Sequence, residues 1–468
     1  MLPLVTNDLL FRITGGIQLE GILNKTDEEG IKAGIKEAIK ELISKINSSA
    51  LILNGLHSTL YLWPKTHAST HSSKLTDDTG CRNILKYVPL EVSRFLKKTT
   101  KTGSFRFSFP KVINLQIFFE VKTHGDHNQT GIVIQRNNMS RIHFKLTLPI
   151  DVIVFATPDE PWGKLQDQFL EAVTAQLTAM DQCIQRYTKG KTVPIPQAFH
   201  FELPERTTLT TVIYPAGISD KVLEPQRKEL HAELGLGDKP FFRRPMAFHL
   251  PGAEVPNDYL KNVHKYVPTP DPDKFKVALV HGFYVFYHLL QDYDNDTEWG
   301  APYRCLQVVI SWFHFQGYIE SPTTFITMIQ NKLMAAKDKY MHIVIGKEWL
   351  EAEQILAVLN GYNISAIIVD DETNVAKPVD LYAHFKEQGT PVVIYKSVIF
   401  SEPKAYILLG IAVNEDPSAK QVLILDTMYT GTDDLVYIIQ KAVKWKGKEF
   451  WDEMEDYGLC LPQRPEGV

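Results

Sequence analysis

Glu298-Trp299-Gly300-Ala301-Pro302-Tyr303-Arg304-Cys305-Leu306-Gln307 runs straight into Val308-Val309-Ile310-Ser311-Trp312-Phe313, and its reading decides the fold. Leu306, Val309, Ile310 and Phe313 recur at helical spacing, so one buried helix is expected from Pro302 onward. Proline suits the first helical position, where a backbone N–H would have no partner. Trp299-Gly300 then makes a tight turn that puts Ala301 at the helix N-terminus. A cysteine is most reactive at such a place, because the macrodipole and free N–H groups favour a thiolate. Here the position holds a methyl group.

Working outward, 468 residues are too many for one ordinary core, and about two or three domains are expected. A hydrophobic content of 44% with 22% charged residues is that of a globular chain, not a disordered or fibrous one. A net charge of −5 gives no reason to expect nucleic acid as a partner, and the basic run Arg94, Lys97, Lys98 and Lys101 reads as solvated surface. No apolar run approaches the ~18 residues of a membrane span, and the first residues lack the basic and apolar regions of a signal peptide. Cys81, Cys183, Cys305 and Cys460 lie far apart without CxxC spacing, which points to reduced thiols, not a disulfide frame or zinc site. His124, Asp126 and His127 read as a solvated turn, so neither a metal nor another cofactor is expected. Together these features give the expectation of a soluble, cytoplasmic protein.

The first part mixes helices and strands. Residues 9–22 read as a strand broken at Gly15-Gly16, and Ile31, Ile35, Ile39, Leu42, Ile43 and Ile46 make the apolar stripe of a helix. Strands are expected around Ala50–Leu53, Thr59–Trp63, 112–121, 131–135 and 141–156. A long helix from Trp162 to Tyr187 follows, then strands at Phe199–Phe201 and Thr210–Tyr214 and a helix near Leu223–Leu234. Prolines 251, 256, 268, 270 and 272 mark a connector, so the expected division is 1–250, a linker 251–275, and 276–468. In the last part a helix is expected over Phe283–Gln291, with His384 on a surface face of the helical stretch Pro378–Gln388. The runs Ile343–Ile345, Ile367–Val369, Val392–Ile394, Ile407–Leu409 and Val422–Leu425 point to a well-buried sheet in an α/β or α+β layer.

The stretch at 298–307 resembles the nucleophile segment of the ubiquitin-fold-modifier-specific proteases, papain-like cysteine peptidases that read Gly-Trp-Gly-Cys-x-Tyr-Arg-Ser-Leu-Gln there. Trp299, Gly300, Tyr303, Arg304, Leu306 and Gln307 match, and the nucleophile falls on Ala301. The family's Asp-Pro-His-Tyr-Thr-Gly corresponds to Asp426-Thr427-Met428-Tyr429-Thr430-Gly431: Asp426 is kept, and the general base falls on Met428. The oxyanion-stabilising tyrosine, twelve residues before the nucleophile, falls on Leu289. Tyr214–Ile218, Arg227–His231 and the tail Leu459–Pro465 resemble the family's type 2 branch, so the likeness spans essentially the whole chain.

The resemblance implies an α+β architecture, with a papain-like C-terminal domain behind a mixed α/β N-terminal domain. The family's enzymes are thiol hydrolases that mature the modifier precursor and remove the modifier from lysines of target proteins. Its type 2 branch docks through the N-terminal part on a membrane-anchored partner at the endoplasmic reticulum. By the same resemblance, Trp299, Gly300 and Tyr303 would serve binding.

Chemistry does not follow. Ala301 has no nucleophilic atom, the Met428 thioether accepts no proton near neutral pH, and Leu289 has no donor for an oxyanion. The expected protein is a pseudoprotease that binds the modifier or the anchored partner. An alternative is a thiol hydrolase using Cys305, one turn deeper on the same helix face. His288 and Tyr287 serve as base or donor only if the register slips. A weaker alternative is a relative of the autophagy cysteine peptidases. Asp426, without an imidazole to orient, is expected to cap backbone N–H groups.

Overall fold

The structure is a computed structural model that describes residues 9–467, except 48–50, 56–77, 87–110, 120–141, 204–205, 207, 238–239, 249, 251–258, 292–294, 321–324, 337–346, 371–379, 397–402, 417–418 and 455–456. The expected strands at Thr59–Trp63 and 131–135, the basic run at 94–101, the turn holding His124, Asp126 and His127, and the run Ile343–Ile345 lie outside the described residues.

The N-terminal part contains β1 (Leu9–Leu23), α1 (Glu28–Lys45), β2 (Leu51–Gly55), β3 (Lys111–Phe119), β4 (Ile142–Ala156), α2 (Trp162–Tyr187), β5 (Pro196–Phe201), β6 (Thr210–Pro215) and α3 (Glu224–Leu234). The first four strands form one sheet in the order β2-β3-β1-β4, with β1 parallel to β3 and antiparallel to β4. Alternate residues Leu9, Phe11, Ile13, Ile17 and Leu19 of β1 are buried, in one core with the stripes of α1 and α2. Gly15 and Gly16 do not break β1. They pair opposite Ile150 and Pro149 of β4, and the antiparallel ladder runs on to Leu23 and Ile142. Burial along α2 follows the expected stripe Leu165, Phe169, Val173, Leu177, Met180 and Ile184.

The C-terminal part contains β7 (Lys276–Leu279), α4 (Ala301–Phe315), α5 (Ile326–Ala336), α6 (Ala352–Gly361), β8 (Ser365–Asp370), α7 (Leu381–Glu387), β9 (Val392–Lys396), β10 (Lys404–Val413), β11 (Gln421–Leu425), α8 (Leu435–Lys441), β12 (Val443–Lys446), α9 (Lys448–Glu453) and β13 (Tyr457–Gln463). Among the described residues seven strands make one sheet, β12-β11-β10-β9-β13-β8 with β7 also on β10. Every pairing in it is antiparallel, which makes this part α+β and not α/β. Continuous apolar runs in an antiparallel sheet require cover on both faces. Val393, Ile407, Leu409, Leu423 and Leu425 face the core built around α4. Val392, Ile394, Leu408, Val422 and Ile424 face the opposite core, beneath α7 and α9. β10 changes partner from β9 to β7 at Gly410, where a Cβ would lie 2.7 Å from the backbone oxygen of Ala278. Only glycine lets the two backbones come that close.

Helix α4 is buried from Ala301 through Phe313 and packs on β9, β10, α5 and α6. Burying a side chain such as Leu306, Ile310 or Phe313 stabilises by ~1.5–3 kcal/mol, so this helix is the anchor of the lobe. The expected helix over Phe283–Gln291 is instead irregular, extended chain. Tyr284, Val285, Phe286 and Tyr287 are all buried, so no polar face remains for a helix to show to solvent. Their backbone pairs with a neighbouring segment: Asn262 N–H donates to Tyr284 O and Phe286 N–H to Leu260 O. Leu260 and Val263, within the proline-rich stretch, are thereby buried in the C-terminal core. The two parts touch where the Arg243 guanidinium lies 4.6 Å over the Tyr318 ring and donates to Gly317 O.

Candidate functional site

The turn into α4 is built on a buried carboxylate. Asp296 accepts from Arg304 Nε at 2.7 Å, with both side chains fully buried, and from the Leu290 amide at 2.8 Å. Its own carbonyl accepts from Gly300 N–H at 2.7 Å. A Cβ on Gly300 would sit 2.5 Å from the Asp296 side chain, which explains glycine at that position. Arg304 also donates to Gln291 O and Gln307 Oε1, so the matched Arg304 and Gln307 are structural. Trp299 is half-buried and meets the Tyr303 ring edge-on at 5.2 Å. Tyr303 is buried and hydrogen-bonded to Gln330, and burial pushes its hydroxyl up to about 12. Gly300 and Tyr303 are buried, and Trp299 is the member of the three that reaches the surface.

Thr427 brings the other positions together. Its carbonyl accepts from the Leu289 amide at 3.0 Å, and its Oγ1 lies 3.2 Å from Cys305 Sγ, one turn below Ala301. Leu289, Ala301 and the partly buried Met428 belong to the same core. The resemblance-derived positions for oxyanion donor and base thus lie beside Thr427, the one for the nucleophile lies one turn from Cys305 on α4, and all three carry apolar side chains.

The thiol nearby is buried and hydrogen-bonded. Thr427 Oγ1 spends its proton on Ala405 O at 3.1 Å, so the Cys305 S–H is the donor in their contact. Burial pushes this thiol up to about 12, leaving it protonated near neutral pH. Asp426 caps as expected: its Oδ1 accepts from the Met428 amide at 2.9 Å. Burial raises its carboxyl above the usual range despite that hydrogen bond.

One histidine differs from expectation. His384 is buried, with Nε2 2.9 Å from Thr390 Oγ1, and burial lowers it to about 4. It lies on the face of α7 that carries the buried Leu381 and Phe385. His288 is also buried, between the Leu289 carbonyl and the Asp433 carboxylate, each 2.8 Å away. Neither Asp296 nor Asp433 was visible as a site residue from sequence. Both lie in polar turn-rich stretches, and only tertiary contact gives them partners. Among the described residues, no group of three or more His, Cys, Asp or Glu converges as metal ligands would.

The family described as "Ubiquitin-fold modifier 1 specific protease 2, N-terminal" matches residues 36–255, and "Peptidase family C78" matches 275–460. Ufm1-specific protease 2 of Gallus gallus is 38% identical over 467 residues, covering 98% of this chain and 100% of the relative. The Homo sapiens protein of the same name is 35% identical over 469 residues, 98% of each chain. The crystal structure of UfSP from C. elegans superimposes with a TM-score of 0.67 at 19% identity, covering 98% of this chain and 78% of that one, and shares the fold.

Proposed function

The chain belongs to the Ufm1-specific protease 2 family, and we propose that it acts there by binding, without cutting. The observation that carries this reading is the apolar side chain at each of the three positions that the resemblance assigns, two of them beside Thr427 and the third one turn from Cys305. A methyl, an isobutyl and a thioether stand where attack, oxyanion stabilisation and proton transfer require polar groups. In enzymes of this kind the nucleophile alone is worth ~10⁶-fold in rate. The nearest thiol is a buried hydrogen-bond donor.

What remains supports recognition. The buried Asp296–Arg304 pair and Gly300 keep the turn into α4, and Trp299 stays partly exposed beside it. A ubiquitin-fold modifier, free or conjugated, is the ligand of this reading, with Trp299 as the contact and Gly300 and Tyr303 holding the wall. Among the described residues no helix is long and apolar enough to cross a membrane. Attachment to the endoplasmic reticulum would run through an anchored partner held by the N-terminal part, with the rest of the chain in the cytoplasm.

Titration of labelled Ufm1 against the purified full chain tests the reading. Saturable binding is expected, weakened about tenfold or more by Trp299→Ala, the scale of an interface aromatic. Absence of binding at high micromolar concentration would leave only the N-terminal, scaffolding half of the proposal.

A further inference from the structure

β8 ends the C-terminal sheet and, among the described residues, pairs with β13 alone. Which of its backbone groups that pairing uses follows from Pro462, which stands opposite Ala366. Proline has no N–H to give. The Pro462 carbonyl accepts from Thr390 Oγ1, whose segment leads into β9 on the other side of β13. Ala366 and Pro462 are therefore a non-hydrogen-bonded pair. Such pairs alternate in an antiparallel ladder, so Ser365, Ile367 and Val369 bond to β13. The N–H and C=O groups of Ala366 and Ile368 then point outward from the edge of the sheet.

The side chains leave the same edge open. Ala366 and Ile368 pack on the core around α4 and Val369 on the opposite core, but Ile367 is 54% exposed. From Ser365 to Val369 there is no charged residue and no proline. Edge strands are commonly guarded by such residues against pairing with another chain. Two other edges of this molecule have them. β12 carries Lys444 and Lys446, and its Trp445 donates to Pro268 O; β4 carries Lys145 and Pro149.

An uncharged edge offers nothing to an acidic or a basic segment, but this one complements itself. Let two copies of β8 run antiparallel about a twofold axis at Ile367. Ala366 of one then lies opposite Ile368 of the other, and the outward N–H and C=O groups of both are satisfied. Ile367 meets its own copy in a non-hydrogen-bonded pair, where Cα atoms are ~4.5 Å apart and side chains are closest. Asp370 falls opposite Ile364, so no like charges oppose each other. β11, which leads into Thr427, is four strands away in the sheet, ~19 Å at the usual spacing.

We propose that β8 is a self-association edge, through which two copies of this chain join their C-terminal sheets into one continuous antiparallel sheet. A contact built on one short strand falls in the class below ~1,200 Å², so the dimer is transient and not obligate. It is independent of the binding function proposed above.

Sedimentation equilibrium of the purified full chain, from low to high micromolar concentration, is expected to show reversible exchange between monomer and dimer. Ile367→Lys puts two like charges on the axis and is expected to weaken association about tenfold or more. Its unfolding midpoint is expected to match the wild type, because Ile367 is exposed, and Ile195→Lys, at an exposed position of the N-terminal part, is expected to leave association unchanged. Ile367→Cys, treated with oxidised glutathione, is expected to give a disulfide-linked dimer, since Cα atoms at that separation suit the bond. The wild type, its four thiols buried, is expected to give none. A chain that stays monomeric throughout the range would overturn the proposal and leave the edge to an extended segment of another protein. A dimer indifferent to Ile367→Lys, or one that Ile367→Cys fails to cross-link, would overturn it as well.

Discussion

Asp426 holds a carboxylate whose hydrogen bond runs to the Met428 amide, the very residue at the base position. In a working triad that carboxylate would orient an imidazole, and removing it would cost rate. Here burial raises its carboxyl, so the ionised form disfavours the folded state. The sign follows from linkage: stability falls as pH rises from the unfolded value, near 3.8, through the higher folded value, and stays lower above it. Asp426→Asn keeps an oxygen for the Met428 amide and removes the charge. Its denaturation midpoint at neutral pH is expected to equal or exceed that of the wild type; a clear drop would mean that the charge serves something beyond the cap.

At the scale of elements, helix α4 was legible because apolar residues recurred at 3.6-residue spacing and Pro302 marked its start. The strands of the C-terminal sheet were legible as short β-branched runs, though whether the sheet was parallel depended on pairings that no local pattern encodes. Residues 283–291 were not legible. A run of adjacent aromatic residues buries equally well in a helix or in extended chain, and the choice was made by Leu260 and Asn262, more than twenty residues away. Asp296 was hidden for the same reason, since its partner Arg304 meets it only once the turn closes. Removing one member of a fully buried ion pair typically costs ~3–5 kcal/mol. Asp296→Ala should therefore lower stability by about that amount, read from denaturant unfolding, while Asp271→Ala on the surface should change it little. Equal effects from the two would show that the turn does not depend on the buried pair.

Across the whole molecule, buried neutral histidines make the fold sensitive to acid. Burial lowers His384 to about 4 and His264 to about 3, from an ordinary value of 6.5. The unfolded chain takes up these protons first, so stability is full above about pH 6.5 and declines as pH falls toward 4. The loss is on the order of 3 kcal/mol for each histidine by about pH 4. Asp151 extends the decline. Burial acts to raise it, but hydrogen bonds from Arg12 and His200 hold it at about 2, and that stabilisation disappears as pH falls from about 3.8 to 2. Unfolding midpoints measured through this range should fall steadily, and a flat profile down to pH 4 would contradict the burial of these rings.

The proposal that this chain binds without cutting is tested most directly with Ufm1 carrying a thiol-reactive electrophile at its carboxyl terminus, mixed with the purified full chain and read by mass. The wild type is expected to form no adduct, its four thiols being buried and pushed up to about 11 or 12, whereas L289Y/A301C/M428H, with the three polar groups restored on the same scaffold, is expected to form one at position 301. A wild-type adduct that disappears in Cys305→Ala would contradict it.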